Sequence, residues 1–170
     1  MRIPVFVSTP TTLSESQAAS RAFVERKLRK RGLAPRTLGD TDYPSKLPLG
    51  EIHAIGRHCS GGVILGFEQL RVMQGVSKPG TGKEFPVSGP VPLPTPWNQL
   101  EAGILFGLGL PLLIFCEDGV AGGIFDNGVT DVFLQPMPEV EDRQTRLGFA
   151  QVLDRWRAEV VSHYYRDPHR

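Results

Sequence analysis

Near the middle of the chain one carboxylate keeps unusual company. Glu101 is flanked by Leu100, Ala102, Gly103, Ile104 and Leu105, and carboxylates are seldom set among apolar neighbours unless they have a task or a partner. Asn98 and Trp97 precede it by three and four residues, the separations at which side chains meet on one face of a helix. Thr95-Pro96 supplies an N-cap and a proline in the first turn, so this helix has a marked start. A carboxylate held away from water at such a place suits acid–base or nucleophilic work. The helix N-terminus beside it favours the anionic part of a ligand, such as a phosphate. The alternative is a helix carboxylate paired with an arginine from elsewhere in the fold.

Other chemistries find less support. Gly80-Thr81-Gly82-Lys83 has a phosphate-loop look, but residue 77 is Ser, residue 84 is Glu, and no strand leads through it into a helix. Gly103, Gly107 and Gly109 have the wrong spacing for a dinucleotide fingerprint and fall within a helix rather than before one. His53 and His58 lack partners at metal-ligand spacing, there is no Cys-x-x-Cys, and no metal site is expected. The serine-hydrolase elbow Gly-x-Ser-x-Gly is absent. Asp126-Asn127-Gly128 reads as a turn. The cations Arg26, Lys27, Arg29, Lys30 and Arg31 crowd a helix end, where the helix dipole favours them.

The elements that must position Glu101 follow from periodicity. Ile3-Pro4-Val5-Phe6-Val7 is a short apolar run that reads as a strand buried on both faces. Ser14 and Gln17 form a capping box for a helix with Ala19, Phe23, Val24 and Leu28 inward, stopped by Gly32. A weaker strand is expected over 33–38, then a helix from Pro48 with Leu49, Ile52, Ile55 and Cys59 in register. Val63-Ile64-Leu65-Gly66-Phe67 is the third strand and Leu112-Leu113-Ile114-Phe115-Cys116 the fourth. A short fifth strand is expected over 131–134, and a final helix over 139–165 carries Phe149, Leu153, Trp156, Val160 and Tyr164 on one face. Alternating strands and helices specify an α/β class, a doubly wound, flavodoxin-like five-stranded parallel sheet of order 2-1-3-4-5. Helices cover both faces, in a single domain spanning 1–170.

Glycine (19) and proline (15) make up a fifth of the 170 residues. Six prolines and four glycines fall between Gly75 and Pro96, so 75–96 is expected to be an irregular, lid-like insertion before the helix carrying Glu101. The net charge of +1 argues against a dedicated nucleic-acid binder. No apolar run is long enough to span a membrane. Met1-Arg2-Ile3-Pro4 lacks the start of a signal peptide. Cys59 and Cys116 read as buried free thiols in a reducing, cytoplasmic setting.

In the 2-1-3-4-5 order, ligands bind where strands one and three diverge, at their carboxyl ends. That crevice gathers Ser8, Thr9, Phe67, Glu68, Trp97, Asn98 and Glu101. Ser8 and Thr9 either end a strand or meet a ribose or phosphate. Trp97 is a core aromatic or a base-stacking one. Glu68 or Asp126 is the carboxylate available to activate water, and the sequence does not rank the two.

Val5-Phe6-Val7-Ser8, Val63-Ile64-Leu65-Gly66-Phe67 and Trp97-Asn98-Gln99-Leu100-Glu101 together resemble the Toll/interleukin-1 receptor (TIR) family and the related nucleoside 2-deoxyribosyltransferase-like proteins. In TIR enzymes a tryptophan shortly precedes a helical glutamate that acts on the ribosyl bond of NAD. The continuation Glu101-Ala102-Gly103 to Leu108-Gly109-Leu110-Pro111 is similar to the deoxyribosyltransferase pattern, whose glutamate is the nucleophile. The resemblance covers about residues 1–135. It implies Glu101 as the catalytic group, with Ser8, Thr9, Phe67, Glu68, Trp97 and Asn98 lining the substrate. NAD would be substrate, with no prosthetic group. It also implies a homo-oligomer, and in bacteria an immune or signalling effector whose product could be cyclic ADP-ribose. The chemistry is coherent, because a nearby carboxylate stabilises or captures the oxocarbenium-like sugar formed when an N-glycosidic bond breaks. A nucleotide-sensing or assembly module without turnover is the alternative, and a nucleoside deoxyribosyltransferase a further one.

Overall fold

The computed structural model describes residues 2–39, 48–129, 134–138 and 143–166, with side chains omitted for 143–147. Strands β1 (Ile3–Ser8), β2 (Leu33–Arg36), β3 (Gly62–Gly66), β6 (Leu112–Cys116) and β7 (Gln135–Pro136) build a five-stranded sheet. Its order is β2-β1-β3-β6-β7, and every pairing is parallel. Counting only these strands, this is the expected 2-1-3-4-5 order of a doubly wound, flavodoxin-like α/β fold.

Parallel strands need crossovers that return over a face of the sheet, and both faces are accordingly covered. On one face Val5, Val7, Val63, Leu65, Leu113 and Phe115 pack with residues of α1 (Glu15–Lys30) and α4 (Arg143–Arg166). Alternate residues of the same strands, Phe6, Ile64, Leu112 and Ile114, point to the other face. There they meet Ile52 and Ile55 of α2 (Pro48–Arg57) and Ala102 and Leu105 of α3 (Pro96–Gly107). The capping box of α1 is complete: Ser14 Oγ accepts from the Gln17 N–H at 3.2 Å, and Gln17 Oε1 accepts from the Ser14 N–H at 3.1 Å. The inward stripe of α1 starts at Gln17, not at Ala19, which is exposed. Seventeen lies seven residues, two helical turns, before Val24; nineteen does not. Leu49 is likewise exposed, in the first turn of α2. No helix among the described residues is long and apolar enough to cross a membrane.

The main departure from the sequence expectation is the segment before α3. It is not irregular. β4 (Leu70–Ser77) and β5 (Phe85–Leu93) form a separate antiparallel two-stranded ribbon that begins four residues after β3 ends. Proline counts against a central strand because it lacks an N–H. A two-stranded ribbon leaves alternate N–H groups of each strand without ladder partners, so Pro86, Pro90 and Pro92 fit on β5. The period-two signal is also blurred by a bulge, where the register slips between Val72 and Gln74 and Gly89-Pro90 faces Met73. A Cβ on Gly89 would run into the Val72 carbonyl oxygen and stand 2.6 Å from Met73 Cα. Only glycine allows the two backbones to pass so closely.

Of the expected fifth strand, 131–133 lie outside the described residues. The fifth position in the sheet is filled by Gln135–Pro136. The expected start of the last helix, 139–142, is also outside, and α4 is described from Arg143. Phe149, Leu153, Trp156 and Val160 are buried as the spacing requires, with Tyr164 half-buried.

Because the ribbon is a sheet of its own, disrupting it should leave the main core standing. Gly89→Ala is expected to speed amide hydrogen exchange across 70–93 about tenfold or more, with little change in Tm. A large cooperative loss of Tm would show instead that the ribbon is part of the main folding unit.

Candidate active site

α3 starts cleanly, with the Thr95 hydroxyl accepting from the Trp97 N–H at 3.3 Å and Pro96 in the first turn. Its inner face carries Asn98, Glu101, Ala102 and Leu105, all buried, and crosses β1 and β3. The crossing is close because β3 begins with glycine: a Cβ on Gly62 would stand 2.8 Å from Leu105 Cδ1. The first turns of α3 are thereby held against the end of β1, where Ser8 sits.

Three polar side chains are buried there. Asn98 Nδ2 donates to Ser8 Oγ at 2.7 Å. Ser8 is 1% exposed, Asn98 0% and Glu101 8%. Burial pushes the Glu101 carboxyl up to about 7, against a smaller lowering by Ser8. No charged side chain among the described residues contributes, so the arginine partner that would make Glu101 merely structural is not found there. Asn98 Oδ1 has no hydrogen-bond partner among the described residues.

The remaining residues gathered by the sequence argument are placed differently. Thr9 is half-buried just beyond Ser8, with its hydroxyl 3.5 Å from the Pro10 carbonyl. Trp97 is 45% exposed, on the open side of the same helix. Phe67 is fully buried, and it belongs to the apolar cluster under α1 and α4, not to the α3 face. Glu68 is taken up by Arg71, whose Nε and Nη2 reach its two carboxylate oxygens at 2.5 and 2.6 Å. That hydrogen-bonded pairing holds the Glu68 carboxyl below its usual range. Asp126 accepts from the Gly122 N–H at 2.9 Å and shapes the loop after β6.

Two polar devices at this edge escaped the sequence argument. Glu117, the first residue after β6, accepts the Glu68 N–H at 2.6 Å and the Gln17 side-chain amide at 3.0 Å. The same Gln17 amide also reaches the Glu68 carbonyl at 3.2 Å. The root of the ribbon is thus tied to β6 and to the first turn of α1. Gln99 donates to the Gly122 carbonyl at 2.9 Å and accepts from the Ile124 N–H at 3.0 Å, lashing the short 3₁₀ turn Gly123–Phe125 to α3. Glu117 had a readable signal, since a polar residue directly after a parallel strand lies on the ligand-binding edge. Gln99 had none beyond its place beside Asn98. A cleft of about 450 Å³ opens on the α1 side of this edge, lined by Ser16, Ser20, Cys116, Glu117, Asp118 and Met137 among others. Glu101 is not in its lining. Neither cysteine forms a disulfide among the described residues; Cys59 is buried and Cys116 half-buried.

No family model matches the chain, and no curated protein sequence matches it. Solved structures do resemble it in fold. The CMP N-glycosidase BcmB of Clostridium botulinum superposes with a TM-score of 0.50 at 10% identity, covering 90% of this chain and 98% of that one. An oxidoreductase from Corynebacterium diphtheriae gives a TM-score of 0.44 at 15% identity, covering 96% of each chain.

A buried carboxyl with a raised pKa makes stability depend on pH in a definite sense. Glu101 is neutral in both folded and unfolded chains only well below its ordinary value of 4.5. Between there and about 7 the folded chain holds the proton that the unfolded chain releases, so stability falls as pH rises through this window. Glu101→Gln removes the titration. Its stability advantage over wild type is expected to grow between pH 5 and pH 8 by on the order of 3 kcal/mol, measured by urea denaturation. A constant difference across that range would mean that Glu101 titrates normally.

Proposed function

We propose that the protein cleaves the N-glycosidic bond of a nucleotide, NAD or a related one, with Glu101 acting at the ribosyl carbon. The observation that carries this reading is a buried carboxylate with no counter-charge among the described residues, set beside the buried Asn98–Ser8 pair at the carboxyl edge of β1. When the bond to the base breaks, positive charge develops on the sugar, and an ionised carboxylate nearby stabilises it or captures it covalently. A nicotinamide leaving group is already cationic and needs little help from an acid. The exposed ring of Trp97, one turn away on the same helix, offers an apolar face against which a base can stack. The likeness in fold to a CMP N-glycosidase accords with this class of bond.

The reading is of a TIR-like or deoxyribosyltransferase-like enzyme, with a water or a second base as acceptor of the sugar. Ring closure within the substrate would give a cyclic product instead. An assembly role is favoured by a separate observation: Leu70, Met73, Val76 and Phe85 of the ribbon are all half or more exposed, an apolar surface of the kind used between proteins.

Incubation with NAD, CMP and a deoxynucleoside, following base release by chromatography, tests the proposal. Base release from one of them is expected, with Glu101→Gln slower by about a thousandfold or more. Since the carboxylate must be ionised, kcat/KM should fall about tenfold per pH unit below a midpoint near 7. Failure of all three substrates, at high as well as low protein concentration, would favour the binding module. An active Glu101→Gln would remove Glu101 from the chemistry.

A further inference from the structure

Resting on the assembly role read from the ribbon above, we infer that β4 pairs with β4 of a second copy of this chain, antiparallel and about a two-fold axis at Met73. The outer edge of β4 meets no strand among the described residues, since its sheet holds only β4 and β5. At the bulge β4 advances by two residues, Val72 to Gln74, while β5 advances by three, Val91 to Ser88. The extra residue therefore belongs to β5, and β4 keeps a regular alternation along its length. Leu70 and Val76 share one face of the ribbon and Met73 takes the other. All three are more than half exposed. Apolar side chains open on both faces of a strand, beside an edge that pairs with nothing, are what strand addition covers.

The order of residues along β4 says which chain suits it. Leu70 and Val76 stand three residues to either side of Met73. A copy laid antiparallel with Met73 facing Met73 therefore sets each Leu70 beside the other copy's Val76, on the same face. Val72 falls opposite Gln74, and Arg71 opposite Gly75, which brings no charge against it. Just beyond the strand ends the same register brings Glu68 opposite Lys78, acid against base at both ends of the interface. Lys78 makes no ion pair among the described residues. A slip of one residue sets Arg71 against Val76 or Gln74, and a slip of two sets Leu70 against Lys78 or Gln74. One register thus matches apolar to apolar and charge to opposite charge, and a second copy supplies that match by symmetry.

Sedimentation velocity of the full chain, from about 1 to about 500 μM, tests the pairing, whose small interface should dissociate in the micromolar range or weaker. A reversible monomer–dimer equilibrium is expected. Met73→Lys sets two like charges together on the axis and should weaken the dimer about tenfold or more, with Tm unchanged. Lys78→Glu should weaken it about threefold or more at low salt and less at high salt. Under mild oxidation Met73→Cys should cross-link position 73 of one copy to position 73 of the other, identified by peptide mass. Ser77→Cys should not cross-link, since its two copies lie about 25 Å apart along the paired strands. A dimer that Met73→Lys leaves intact, or that Ser77→Cys cross-links as readily as Met73→Cys, overturns this pairing while self-assembly stands. A chain that stays monomeric throughout overturns both. Neither result bears on base release, which reports on Glu101, so the activity and the dimer can fail separately.

Discussion

A carboxylate withdrawn from water, with no counter-charge among the described residues, is a standing cost, and the region around Glu101 is arranged so that the fold sustains it. Ala102 and Leu105 drive the same face of α3 onto the sheet, so Glu101 cannot swing out to solvent without peeling the helix away. Ser8 favours its ionised form, and Asn98 donates to Ser8. Reactivity and packing are therefore the same fact seen from two sides: the apolar contacts that stabilise α3 are what make the carboxyl a reluctant acid.

The loops at this edge are fixed by side chains that do no chemistry. Gln17 serves twice, closing the capping box of α1 and reaching across to Glu68 and Glu117. Gln99 performs the corresponding task for the loop after β6, and it fits because a Cβ on Gly123 would fall against its amide. Both glutamines sit on helices whose first turns point to the edge, so rigid elements hold the loops.

The doubly wound sheet was readable because each of its buried strands is a short apolar run followed by a turn signal, and because the helices carry marked caps. Glu101 was readable for a related reason, since its apolar neighbours advertise burial of the face it shares. The ribbon was not readable. Its prolines and its bulge erase the alternation by which strands are recognised, and its residues are mostly exposed, so burial leaves no pattern. The Phe67 placement also lay beyond the sequence. Whether the residue after a strand turns toward one face or the other depends on where the chain goes next, and here it turns into the cluster beneath α1 and α4. The Arg71 pairing that occupies Glu68 follows from the ribbon and was hidden with it.

The distribution of proline within the ribbon gives it a direction. β5 carries Pro86, Pro90 and Pro92, whereas β4 carries none. A strand lacking donors at three of its nine positions is a poor template for another chain, which is one way native edges are kept from recruiting neighbours. The ribbon thus has a guarded side and an unguarded side. Any chain that extends it by backbone pairing, whether in assembly or in aggregation, must do so along Leu70–Ser77, growing the sheet away from the guarded edge.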